Sequence, residues 1–173
     1  MAAAGAGARP ETVRFQSDWV LWYFNPTNKD WDLKYYTRIA LVTTPQQLWS
    51  VLAGIDPQAW KVGYFFFMKN GHRPKWDVPE NENGGSWSKK VSTAEIYDIA
   101  IDLIVHCVAN KDGLIPTNPG SLVGFSTSPK GDFNILKIWN KDTKQHANTL
   151  LNPAISRFPI TKDVVYTAHK SRK

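Results

Sequence analysis

Ile96, Ile99, Ala100, Leu103, Ile104, Cys107 and Val108 follow one another at the spacing of a single helical face, so a helix through this stretch carries a continuous apolar stripe. A lone helix cannot cover such a stripe, and the rest of the chain must supply the surface that does. Ser92 with Glu95 three residues on is a capping-box signature and predicts where the helix begins. The other strongly apolar runs, residues 20–24 and 64–68, are short and aromatic. They end in the turn formers Asn25-Pro26-Thr27-Asn28 and Asn70-Gly71, which marks them as strands. The helix is therefore expected to pack on a sheet.

Tyr35, Tyr36, Ile39, Leu41 and Val42 predict another strand. Thr44 before Pro45 predicts a helix N-cap with proline in the first helical position. That helix runs to about Gly54, with Leu48, Trp49, Leu52 and Ile55 recurring at helical spacing. Residues 79–86 read as a loop, after which residues 86–89 re-enter the sheet, and 111–121 read as another loop. Strands are expected at 122–125 and 135–139, joined by a turn over Ser128-Pro129-Lys130-Gly131-Asp132. Asp142 with Gln145 predicts a third helix as far as Leu150 or Leu151, stopped by Asn152-Pro153, and Val164, Val165 and Tyr166 a last strand. The fold class is α+β: a largely antiparallel sheet with helices on one face. At 173 residues one domain is expected, over residues 18–173, preceded by a flexible tail over 1–17, with no internal repeat.

The formal net charge is +6, which favours a polyanionic partner without naming one. Cys107 is the single cysteine, so no internal disulfide framework exists and a reducing compartment, cytosol or nucleus, is expected. No apolar run reaches the roughly 20 residues of a membrane span, and no signal peptide is read at the Ala/Gly-rich start. The four histidines lack metal-ligand spacing, no glycine-rich phosphate loop is present, and Ser126 lies outside a nucleophile-elbow pattern. Cys107, on the apolar stripe, has the setting of an inert thiol. Neither an enzyme nor a cofactor is expected.

Trp31 and Trp76 stand apart from these elements, each among charged and turn-forming residues whose burial with the ring would be costly. One reading makes them loop tryptophans that cover the core. The other makes them stacking platforms: two rings, the Asp77 carboxylate and a basic chain suit a flat cationic base carrying phosphates.

The ordered set of motifs favours the second reading. Trp19-Val-Leu-Trp22-Tyr-Phe24, Trp31 after a polar loop, Leu48-Trp49, Lys69-Asn-Gly71 before Pro74-Lys-Trp76-Asp77, Gly84-Gly-Ser-Trp87, Lys130-Gly-Asp132, Ile138-Trp139 and Tyr166-Thr-Ala-His169 together resemble the translation initiation factor 4E family, which binds the 7-methylguanosine cap of messenger RNA. The resemblance implies a curved antiparallel sheet with three helices on its convex face and the cap on the concave face. Trp31 and Trp76 would sandwich the methylated guanine, Asp77 would accept from its N1 and N2 donors, and Trp139 would line the pocket near the methyl group. Lys130 and Lys137 are the residues expected at the phosphates. Trp49 matches the family tryptophan that receives a helix of the 4G-type initiation scaffold or of a 4E-binding protein. The sequence departs from the family pattern at Asp77, usually glutamate, at Ser86, usually arginine, and in its short stretch after His169. It also lacks the His-Pro-Leu segment upstream of Trp19. These departures resemble a divergent isoform, with the trypanosomatid type as one candidate. Two alternatives stay open: a protein-interaction paralogue with a weakened cap pocket, and a general single-stranded RNA binder that stacks bases without regard to methylation.

Overall fold

The computed structural model describes residues 12–109, 113–155 and 163–171. Among them, seven strands form one curved sheet in which every neighbouring pair is antiparallel: β1 (Trp19–Phe24), β2 (Tyr36–Val42), β3 (Tyr64–Lys69), β4 (Gly85–Ser92), β5 (Leu122–Pro129), β6 (Phe133–Asn140) and β7 (Val165–Ala168). Their spatial order is β2-β1-β3-β5-β6-β4-β7. Three helices, α1 (Pro45–Ala53), α2 (Ala59–Val62) and α3 (Ile96–Val108), all pack on the same face. The expected α+β architecture is the one found.

Strand alternation divides the aromatic residues between the two faces. Phe65 and Phe67 of β3 join the helix-side core, where Trp19 stacks on Phe67 at 5.0 Å and Trp60 of α2 stacks on Phe65 at 4.1 Å. Phe66 and Met68, offset by one residue, belong to a second apolar cluster on the opposite face with Phe24, Tyr36, Val123 and Trp139. Both faces are thus apolar near the centre of the sheet, and among the described residues only one is roofed by helices. β5 crosses β3 closely at Gly124, whose φ is 152°. A Cβ there would collide with the Phe67 backbone, so glycine permits the sheet to close at that point.

Helix α1 begins as its sequence dictates. The Thr44 hydroxyl accepts from the Gln47 backbone N–H at 3.2 Å, and Pro45 occupies the first turn, where no donor is missed. Two expectations need correction. Helix α3 starts at Ile96, later than the capping-box pattern implies, because Ser92 stays in β4 opposite Phe133 and its hydroxyl turns the chain by accepting from the Ala94 N–H. The segment 142–151 forms no α-helix, only turns and a short 3-10 turn at Asn148–Leu150. Its carbonyls are taken by side chains: the amide of Asn140, at the end of β6, donates to the carbonyls of Asp142 and Gln145, and the distant Trp87 indole N–H donates to that of His146. The third helix is instead α2, whose four residues are too few to show a period.

Residues 1–11 of the expected tail, and 111–112 of the expected loop, lie outside the described residues. Within the remainder of the tail, the Phe15 N–H donates to the Thr43 carbonyl at 2.9 Å and its ring packs against the helix-side core. No helix among the described residues is long and apolar enough to cross a membrane.

Candidate functional site

The face without helices holds a cavity of about 440 Å³, within the range of small-molecule sites. Its apolar floor comes from the second cluster, through Tyr36, Phe66 and Trp139, with Tyr64 beside them. Its polar lining comes from two loops and from β5 and β6. Trp31, Trp76, Asp77, Trp139, Lys130 and Lys137, six residues scattered over more than a hundred positions, all line this one cavity.

Trp31 reaches the cavity on a loop built from consecutive side-chain turns. The side chains of Asn25, Asn28, Asp30 and Asp32 each accept from the backbone N–H two residues on, which fixes the loop without burying it. The indole is 46% exposed, lies 4.4 Å from the buried Phe24 ring at 9° between planes, and meets the edge of Tyr64 at 5.3 Å. Its position is thus set by packing as well as by the loop.

Trp76 and Asp77 sit in the longer connection between β3 and β4, and Asn81 organises that connection. Asn81 is 1% exposed, and its amide donates to the carbonyls of Arg73 at 2.7 Å and Lys75 at 2.6 Å, bracketing Pro74 just before Trp76. Its side-chain oxygen lies 2.8 Å from His72 Nδ1, which must carry the proton because the oxygen only accepts. Its backbone carbonyl lies 2.7 Å from His169 Nδ1 at the end of β7, and the His169 ring packs edge-on against Trp139 at 5.0 Å. The loop bearing Trp76 and the strand bearing Trp139 are therefore joined through Asn81 and His169. Outside this knot the Arg73 guanidinium grips the Glu80 carboxylate with two bonds, at 2.6 and 2.8 Å, and holds its pKa down at about 2.

Asp77 is half exposed and pairs with Lys75, Nζ to Oδ1 3.4 Å. Burial, with the Asp77 charge and Tyr64 adding to it, pushes the Tyr36 phenol up to about 12, so it stays a neutral donor in the cavity floor. The Trp139 indole N–H donates to the Ser126 hydroxyl at 3.0 Å, which turns a flank of that ring to the cavity while the residue stays 95% covered. Lys130 extends from the β5–β6 turn with its ammonium 5.7 Å from the Tyr64 ring centre, and Lys137 approaches along β6. A separate recess of about 30 Å³ shares Trp76, Lys137 and Trp139 with the cavity and is bounded also by Ser86, Thr167 and His169. The arrangement can stack a flat ring, offer it a carboxylate edge and place two ammonium groups beside attached anions.

Trp49 lies apart from this cavity, 51% exposed on α1 while its neighbours Leu48 and Leu52 are buried. The helix-bearing side also exposes Val62 and Val105. Another cavity, of about 130 Å³, lies beside Lys69 and Cys107. Burial raises the Cys107 thiol above its ordinary pKa, which suits a packing role and not a nucleophile.

Sequence reasoning missed Asn81, Lys75, Tyr64 and Ser126 as parts of the site. For Tyr64 the signal was present, since it shares strand parity with Phe66. For Asn81 nothing local distinguishes a loop asparagine that caps distant carbonyls from one facing water.

The family model described as Eukaryotic initiation factor 4E matches residues 14–173. A Caenorhabditis elegans relative named eukaryotic translation initiation factor 4E-1 is 26% identical over 132 residues, 72% of this chain and 60% of its own length. The chain spans 53–60% of the length of the first three curated relatives it matches. A solved complex of Caenorhabditis elegans eIF4E-3 with the 4E-binding protein Mextli has a TM-score of 0.77 at 21% identity, covering 91% of this chain and 95% of that one. Ascaris suum eIF4E-3 with m7G cap gives 0.76 at 17% identity, covering 92% and 93%. These similarities in structure are similarities of fold.

Proposed function

The chain belongs to the eukaryotic initiation factor 4E family, and on that premise we propose that its open cavity receives the 7-methylguanosine cap of messenger RNA. One observation carries the reading: two part-exposed tryptophans from polar loops, Trp31 and Trp76, line one cavity together with the Asp77 carboxylate. The base stacks on the indoles while Asp77 accepts from its N1 and N2 donors. Methylation at N7 makes the base a cation, which gains from aromatic faces and from a carboxylate in a way neutral guanine does not. Each stacked face contributes about 1 to 3 kcal/mol, and a hydrogen bond to a charged group about 1.5 to 3 kcal/mol. Trp139 lies against the methylated side of the ring, and Lys130 and Lys137 meet the phosphates. The similarity to an Ascaris suum protein solved with m7G cap supports this reading.

The protein acts in translation initiation or its regulation, and no catalytic step is assigned to it. Exposed Trp49 is the anchor for a helix of a 4G-type scaffold or of a 4E-binding protein, a partner class that the Caenorhabditis elegans complex with Mextli exemplifies. Tryptophan fluorescence, titrated with 7-methylguanosine triphosphate and with its unmethylated counterpart, tests the central claim. Strong quenching by the methylated nucleotide alone is the expected result. Equal quenching by both would make the protein a general single-stranded RNA binder. No quenching by either, in a folded protein that still captures partner through Trp49, would make it an interaction paralogue.

A further inference from the structure

Lys75 lies directly before Trp76 and lines the same cavity as Trp76 and Asp77. Its ammonium is 3.4 Å from Asp77 Oδ1, and its side chain is the more covered of the two, 22% exposed against 44%. Its backbone is also anchored, because the Asn81 amide holds the Lys75 carbonyl at 2.6 Å. The cation thus extends from an anchored backbone in the wall that carries the carboxylate and lies against it.

We infer that Lys75 is a specificity-determining residue of the pocket, setting how strongly it prefers a cationic, N7-methylated guanine over neutral guanine. The inference rests on the proposed cap site. Guanine offers N1–H and N2–H donors to Asp77 whether or not N7 is methylated, so those hydrogen bonds alone do not read methylation. The methyl group is read through charge, by the aromatic faces and by the carboxylate. A lone carboxylate beside the base favours the cation. A carboxylate paired with an ammonium has no net charge and favours it much less, leaving stacking to carry the discrimination. Any attraction between Lys75 and a triphosphate is shared by both nucleotides. The ratio of their dissociation constants therefore isolates the effect on the base.

The test compares wild type, Lys75→Met and Lys75→Gln, with dissociation constants measured for 7-methylguanosine triphosphate and guanosine triphosphate and thermal melts run in parallel. Lys75→Gln keeps a hydrogen-bond donor near Asp77 without the charge, so it separates charge from geometry and serves if Lys75→Met fails to fold. The unmethylated-to-methylated ratio of dissociation constants should rise about 5- to 10-fold in both variants at low ionic strength, the size of one unit charge acting across a partly screened site. The rise should shrink as salt is added. An unchanged ratio would show that Lys75 swings clear when the base enters, and a lowered one that it orients Asp77 for productive contact. Either result, in folded variants, overturns the inference while leaving the cap site intact. Failure of the wild-type protein to bind the methylated nucleotide would instead remove the site and this inference together.

Discussion

Replacing Asn81 with alanine tests whether the loop bearing Trp76 is preorganised. The substitution removes two donated bonds, to the Arg73 and Lys75 carbonyls, and the partner of His72 Nδ1, while the bond between the Asn81 backbone carbonyl and His169 has no need of the side chain. Three hydrogen bonds at about 1 kcal/mol each sum to about 3 kcal/mol, an upper figure because water can enter and satisfy the released carbonyls. If it goes wholly into opening the loop, about 3 kcal/mol lowers affinity for the methylated nucleotide by about 160-fold, at about 1.36 kcal/mol per decade. Spent on global unfolding, it lowers the melting temperature by roughly 6 to 12 °C for a chain of this size. Fluorescence titration, a thermal melt and amide hydrogen exchange over residues 70–84 distinguish the two outcomes. Affinity within about threefold of wild type, with unchanged exchange in that loop, would refute the assignment of Asn81 as its organiser.

Trp76→Ala should abolish methyl-dependent quenching and shift the melt by only a few degrees, since the ring is 38% exposed; loss of the cooperative transition would show it to be a core residue. Trp49→Ala should weaken capture of a scaffold-derived helical peptide at least tenfold, as measured by pull-down or titration, and leave nucleotide affinity unchanged. A parallel loss of nucleotide binding would contradict the separation of the two surfaces. The Glu80 carboxyl, held at about 2 in the fold against an ordinary value of 4.5, contributes stability that is fully present above pH 4.5 and is lost as pH falls towards 2. Acid melts of Glu80→Gln should lack that part of the pH dependence, and water screening of this exposed pair keeps the difference small.

The elements that the sequence predicted well are those whose information is local. The stripe on α3 and the aromatic runs of β1 and β3 declare themselves within a few residues, and Thr44-Pro45 states where α1 begins. Predictions failed where a distant partner decides. Asp142 and Gln145 form an acceptable cap pair in isolation, yet Trp87, fifty-nine residues away, takes the His146 carbonyl, and Asn140, held in β6, takes those of Asp142 and Gln145. Ser92 has the right neighbour for a capping box, but the ladder opposite Phe133 keeps it extended. The candidate pocket was legible through Trp31 and Trp76, large rings out of place in polar loops, and through Asp77 only as the neighbour of Trp76. Lys75 and Asn81 were not, because lysine and asparagine are ordinary loop residues until the fold gives them partners.

The stack of Trp31 on Phe24 has a consequence for what can be threaded through the pocket. An indole has two faces, and a buried phenylalanine already lies along one of them. A single plate remains open, so Trp31 cannot serve as a rung between successive bases as an intercalating ladder would. It can end a column of rings but cannot continue one. A nucleic acid on this surface could therefore stack one base on Trp31, and a terminal base, which has no stacked neighbour to surrender on its outer side, would fit there with the least disruption.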